Sequence, residues 1–112
     1  MKELIAIAVL SILSFSQTAQ AEVSISDYKT YKDDEGFKMY LGGYLEGLKW
    51  ANLMMKRNKL PSLYCPPPEL GLTVDNGIQI LDDFIGKSKN LEENDHIEVV
   101  MIFAMQDAFP CK

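Results

Sequence analysis

Two cysteines flanked by prolines constrain this chain more than any other feature. Leu63-Tyr64-Cys65-Pro66-Pro67-Pro68 opens one stretch, and Ala108-Phe109-Pro110-Cys111 closes it. Two cysteines allow only one intramolecular pairing, and no Cys-x-x-Cys spacing occurs. A pair so far apart in sequence reads as a structural disulfide, Cys65 to Cys111. A redox pair or a metal site is the competing use. In the chain-entropy model, closing a ring of about 45 residues stabilises a fold by roughly 4 kcal/mol. For a domain with so small a core, that increment can decide folding.

An oxidising compartment is consistent with the start of the chain. Lys2 precedes an apolar run from Leu4 to Phe15, and Thr18-Ala19-Gln20-Ala21 offers the small-x-small pattern that signal peptidase accepts. Residues 1–21 therefore read as a cleavable secretory signal, with 22–112 as one mature domain. A retained anchor is the alternative, against which the run is short for a bilayer. The expected location is the periplasm, with no membrane contact after cleavage. The formal net charge of -5 argues against nucleic acid and anionic membrane surfaces as partners.

Apolar spacing predicts an all-α fold: a small bundle of three main helices, plus a short N-terminal helix or loosely docked arm over residues 22–36. The first main helix spans Phe37 to Asn58. Phe37, Leu41, Tyr44, Leu48, Ala51 and Met55 form its core stripe. Gly43, Gly47, Trp50 and Met54 recur on the opposite side. A glycine inside a helix costs about 1 kcal/mol against alanine, so each asks for a reason. Close approach of another backbone is one. The ridge is then covered either by the same domain, which is the favoured reading, or by a second subunit.

Prolines 61, 66, 67 and 68 make residues 59–72 an extended crossing. Thr73 is the predicted N-cap of the second helix, aided by Asp75. Val74, Ile78, Leu81 and Ile85 form its stripe, widened by Ile80 and Phe84. Asp82 and Asp83 read as a solvated edge, and Gly86 marks the end. After a polar loop over residues 87–95, Asp95 and Glu98 resemble a capping pair. The third helix, His96 to Phe109, is apolar nearly all round and belongs in the middle of the bundle. A buried strand over Val99 to Phe103 is the competing reading.

No catalytic constellation is legible. His96 is the one histidine, and beside Glu92, Glu93 and Glu98 it reads as an exposed residue rather than a metal ligand. Cys65 is consumed by the disulfide, and neither a phosphate-binding glycine loop nor a zinc spacing occurs. Binding, without cofactor, metal or turnover, is the default function.

From Gly43 onward the chain resembles the Rap/Tai family, periplasmic immunity proteins of type VI secretion systems. The resemblance rests on Tyr40-Leu41-Gly42-Gly43 and Tyr44-Leu45-Glu46-Gly47, on Cys65-Pro66-Pro67, and on Thr73 in Leu72-Thr73-Val74. It continues through Ile80-Leu81-Asp82-Asp83-Phe84-Ile85 and ends with Ile102 to Cys111, which carries the closing Phe-Pro-Cys. Asn76 stands where the family often has glutamine. Lys87-Ser88-Lys89-Asn90 stands where it often has His-Pro. The resemblance implies a small helical protein, often a homodimer, that binds a peptidoglycan-cleaving amidase toxin and blocks its cleft. The interface is expected in the acidic loop, at Glu92, Glu93 and Asp95, with a plain solvated loop as the alternative. A periplasmic acid-stress chaperone, or a family member with another envelope partner, is the second functional reading.

Overall fold

Helices need partners for their first unpaired N–H groups, and polar residues supply them at three of the four helix starts among the described residues. The computed structural model describes residues 22–112; the expected signal segment lies outside them. The described residues form α1 (Ile25–Tyr31), α2 (Glu35–Arg57), α3 (Val74–Lys87) and α4 (Ile97–Ala108). The fold is all-α. The only β pairing among the described residues is an isolated antiparallel bridge between Ser24 and His96. Val99 to Phe103 is therefore helix.

Ser24 caps α1 in a reciprocal box with Asp27. Asp34 caps α2 by accepting from the Phe37 N–H at 3.0 Å. Thr73 caps α3 as predicted, and Asn76 completes that box. The predicted Asp95–Glu98 pair at α4 is not formed. The N-cap is His96, without a side-chain cap. Instead the arm before α1 lies across this helix start, and the Val23 carbonyl accepts the Ile97 N–H at 2.8 Å. A backbone carbonyl thus takes over a capping role, which frees the Glu98 carboxylate for the Val23 N–H (3.3 Å) and the Tyr40 hydroxyl (2.5 Å).

The N-terminal arm is no loose appendage. Ile25 and Tyr28 are among the most buried side chains, in a core completed by Leu41, Leu45, Leu48, Tyr64, Leu81, Ile97, Val100, Met101, Ala104 and Met105. The Tyr28 hydroxyl donates to Asp82 Oδ1 at 2.7 Å, and Lys32 Nζ lies 3.0 Å from Asp82 Oδ2. Asp82 is therefore a half-buried tether for α1, not part of a solvated edge; Asp83 is exposed as expected.

The core face of α2 is rotated from the predicted stripe. Leu45 is buried and Ala51 is exposed. The cause is Gly77 on α3: a Cβ there would come within 2.5 Å of Leu45 Cδ1. The bare backbone of α3 makes room for Leu45. Gly42 plays the same part against Val74, at 2.9 Å. A Cβ on Gly43 or Gly47, by contrast, would meet nothing within 4 Å. The favoured reading, that this domain covers the ridge, is corrected. Likewise α4 is not buried all round, since Val99 and Phe103 are half exposed.

Asn52 holds the crossing segment to α2. Its Oδ1 accepts from the Leu63 N–H, and its Nδ2 donates to the Tyr64 carbonyl, both at 2.7 Å. Next to this clip the Cys65 N–H donates to the Phe109 carbonyl at 2.8 Å. Cys65 and Cys111 form the expected disulfide, with Cα atoms 5.0 Å apart. Replacing both cysteines by alanine should lower stability by about 4 kcal/mol, read as a shift of the urea midpoint. Gly77→Leu should cost about 1–3 kcal/mol by overpacking Leu45, read the same way.

Candidate functional site

The acidic loop after α3 is a pinned turn. Asp95 Oδ2 accepts from the Glu92 N–H at 2.8 Å, and the Asp95 N–H donates to the Glu92 carbonyl at 3.0 Å. The start of α1 closes over it: Ile25 N–H donates to the Asp95 carbonyl and Ser26 N–H to the Glu93 carbonyl, each at 3.0 Å. The three residues singled out in the sequence therefore share one turn and have different tasks. Asp95 braces the turn. Glu93 pairs with Lys29 at 2.5 Å across an exposed surface, a contact that contributes at most about 1 kcal/mol. The Glu92 side chain has neither an ion-pair nor a hydrogen-bond partner among the described residues and points its charge at solvent.

His96 stands at the base of this loop, with Nε2 3.7 Å from Glu22 Oε2. Among the described residues no cluster of three or more histidine, cysteine or acidic side chains is placed to hold a metal ion.

The second feature is the outer face of α2. Gly43 and Gly47 are exposed there, between Met39 (79% exposed), Trp50 (57%) and Met54 (48%). The four residues predicted as a ridge do share one face, and that face is bare. No helix among the described residues is long and apolar enough to cross a membrane.

The third feature went unread in the sequence. A cavity of about 690 Å³ lies between α2 and the proline crossing, lined by Leu45, Tyr64, Pro66, Leu70, Leu72 and Val74 among others, with Glu46 and Lys49 also contributing. Its signal was the proline run, which cannot pack into a helix and so bridges a gap.

Tyrosines dominate the electrostatics. Burial pushes the Tyr28 hydroxyl far up, helped by its bond to Asp82; Tyr40 is raised the same way, by burial and then by Glu98. Burial also raises Tyr44, with Glu98 adding to it, and Tyr64, with Glu46 adding to it. The Tyr44 hydroxyl donates to the Glu98 carbonyl, so Tyr40 and Tyr44 both link α2 to the first turn of α4. Of these four phenols only Tyr44 falls in a stripe predicted from the sequence, that of the first main helix.

No family model matches the chain, and neither curated proteins nor solved structures give a significant match.

The raised tyrosines set a pH dependence. An unfolded tyrosine ionises near about pH 10, whereas the folded protein holds these protons to higher pH. Above about pH 10 the unfolded chain therefore binds fewer protons, and stability falls as pH rises. The urea midpoint should decline from about pH 10 upward. Tyr28→Phe should lower stability by about 1–2 kcal/mol at neutral pH and make the alkaline decline shallower.

Proposed function

We propose that the protein is a periplasmic immunity protein, which binds a secreted peptidoglycan amidase toxin and blocks it sterically, without turnover. The family reading rests on the ordered Cys-x-Pro, Thr73 and Phe-Pro-Cys elements. The observation that carries its physical side is the pinned acidic loop. Glu92 and Glu93 stand on a turn fixed by Asp95 and by the α1 backbone, so little ordering entropy is lost on binding. Exposed carboxylates on a rigid turn speed encounter with a basic cleft rim. The disulfide suits an oxidising compartment.

Function as an acid-stress chaperone is the second reading, and the bare apolar face of α2 is what favours it. Such a protein would bind apolar dye more strongly and suppress aggregation at pH 2 to 3, relative to pH 7.

The test is capture of a partner by the oxidised protein from periplasmic and secreted proteins, followed by an amidase assay on the complex. A tight partner whose peptidoglycan amidase activity is inhibited supports immunity. Glu92→Lys with Glu93→Lys should then slow association by about tenfold or more at low salt. An unchanged rate would remove the loop from the interface. A folded protein that captures no amidase and suppresses acid aggregation would replace immunity with the chaperone reading.

A further inference from the structure

We propose that the cavity between α2 and the proline crossing binds a short apolar peptide with both termini free, of dipeptide size. The inference starts from Tyr64, which is only 4% exposed. Its carbonyl accepts from Asn52, but its hydroxyl has no hydrogen-bond partner among the described residues. No fully buried side-chain oxygen or nitrogen among those residues lacks a partner, so this hydroxyl reaches open space. Tyr64 lines the cavity, and the cavity is the space it faces. A phenol set among apolar walls needs a partner, and within the described chain this one has none.

The walls name the rest of the ligand. Leu45, Leu70, Leu72 and Val74 are apolar, and the volume of about 690 Å³ suits a small organic molecule. Two large apolar side chains fill such a space better than one. The Thr73 hydroxyl also lines it but is committed to the α3 cap. That leaves Glu46 and Lys49, one turn apart on the α2 wall, with Glu46 Oε1 3.7 Å from Lys49 Nζ. The pair is long and well exposed, so opening it costs little. A ligand ammonium then meets Glu46, and a ligand carboxylate meets Lys49. A lone anion such as a fatty acid would face Glu46 as a like charge, and a lone amine would face Lys49 in the same way. A zwitterion satisfies both. Glu46 also lies near the Tyr64 hydroxyl, where it adds to the effect of burial in raising that phenol. The protonated hydroxyl is the donor for the peptide carbonyl between the two termini.

The site is held in shape without the ligand. Prolines 66, 67 and 68 fix their φ angles, and the Leu70 N–H donates to the Pro67 carbonyl at 3.0 Å. Asn52 and the disulfide tie the start of this segment to α2 and to the exit of α4. Little chain entropy is then lost on binding. The cavity shares no residue with the acidic loop, so this site does not depend on the immunity reading.

Calorimetric titration of the oxidised protein with leucyl-phenylalanine tests the inference, beside the same dipeptide with its amine acetylated or its carboxylate amidated. The free dipeptide should bind with a Kd below about 1 mM, and each capped form at least about tenfold more weakly. Backbone amide shifts on binding should centre on residues 70–74. Glu46→Gln should weaken the free dipeptide about tenfold and close its gap from the acetylated form. Tyr64→Phe should weaken all three forms several-fold. Glu46 is exposed, so its variant should keep the wild-type circular dichroism and decides the matter even where Tyr64→Phe fails to fold. A folded wild type that binds no dipeptide at about 5 mM overturns the inference. So do equal affinities for the three forms, which mark apolar adsorption without recognition of the termini, and shifts centred on Met39, Trp50 and Met54 instead.

Discussion

The Cys65–Cys111 bond ties the crossing segment that follows α2 to the exit of α4. α2 and α4 are joined by α3 and by side chains that reach across the gap: Tyr40 and Tyr44 to Glu98 at one end, and the disulfide at the other. The bond acts through the crossing segment. Asn52 clips that segment to α2, and the Cys65 N–H grips the Phe109 carbonyl at the exit of α4. With this end tied, the burial of Tyr64 and Met105 follows. The opposite end is closed by the arm, whose Val23 carbonyl starts α4 and whose Tyr28 fills the core between helices.

Features governed by a residue's own chain neighbourhood were legible in the sequence. Thr73 read as a cap because a cap needs only a side-chain oxygen next to a helix start. The cysteines read as a pair because there were only two. Features set by a tertiary partner were not legible. Tyr28 sits in a polar stretch, and nothing nearby in sequence announces Asp82. Asn52 satisfies two backbone groups of a segment it meets only in the fold, and nothing nearby in sequence announces them. Glu98 read as half of a local capping box, a role the Val23 carbonyl makes unnecessary. For the candidate site, the charges of the acidic loop were visible, but their division of labour depends on where α1 closes.

The glycines show the same boundary most sharply. Six of them stand within α2 and α3, and four of these divide into two pairs. Two, Gly42 and Gly77, admit a side chain of the facing helix; two, Gly43 and Gly47, face open space. No local property separates the pairs. The distinction lies in the rotation of α2, and that rotation is fixed when Leu45 enters the space left by Gly77.

That rotation also separates two exposed surfaces of different chemistry. Leu45 draws one side of α2 toward α3, and Tyr40 and Tyr44 engage α4 on another. The glycine ridge is left facing away from the core, while the acidic turn stays with α1 and the start of α4. The ridge is apolar and uncharged, so any contact through it would respond weakly to salt. A contact through Glu92 and Glu93 is governed by charge on a rigid turn and should weaken steeply with ionic strength. The same packing of one leucine against one glycine thus leaves two chemically distinct exposed surfaces, one apolar on α2 and one acidic at the start of α4.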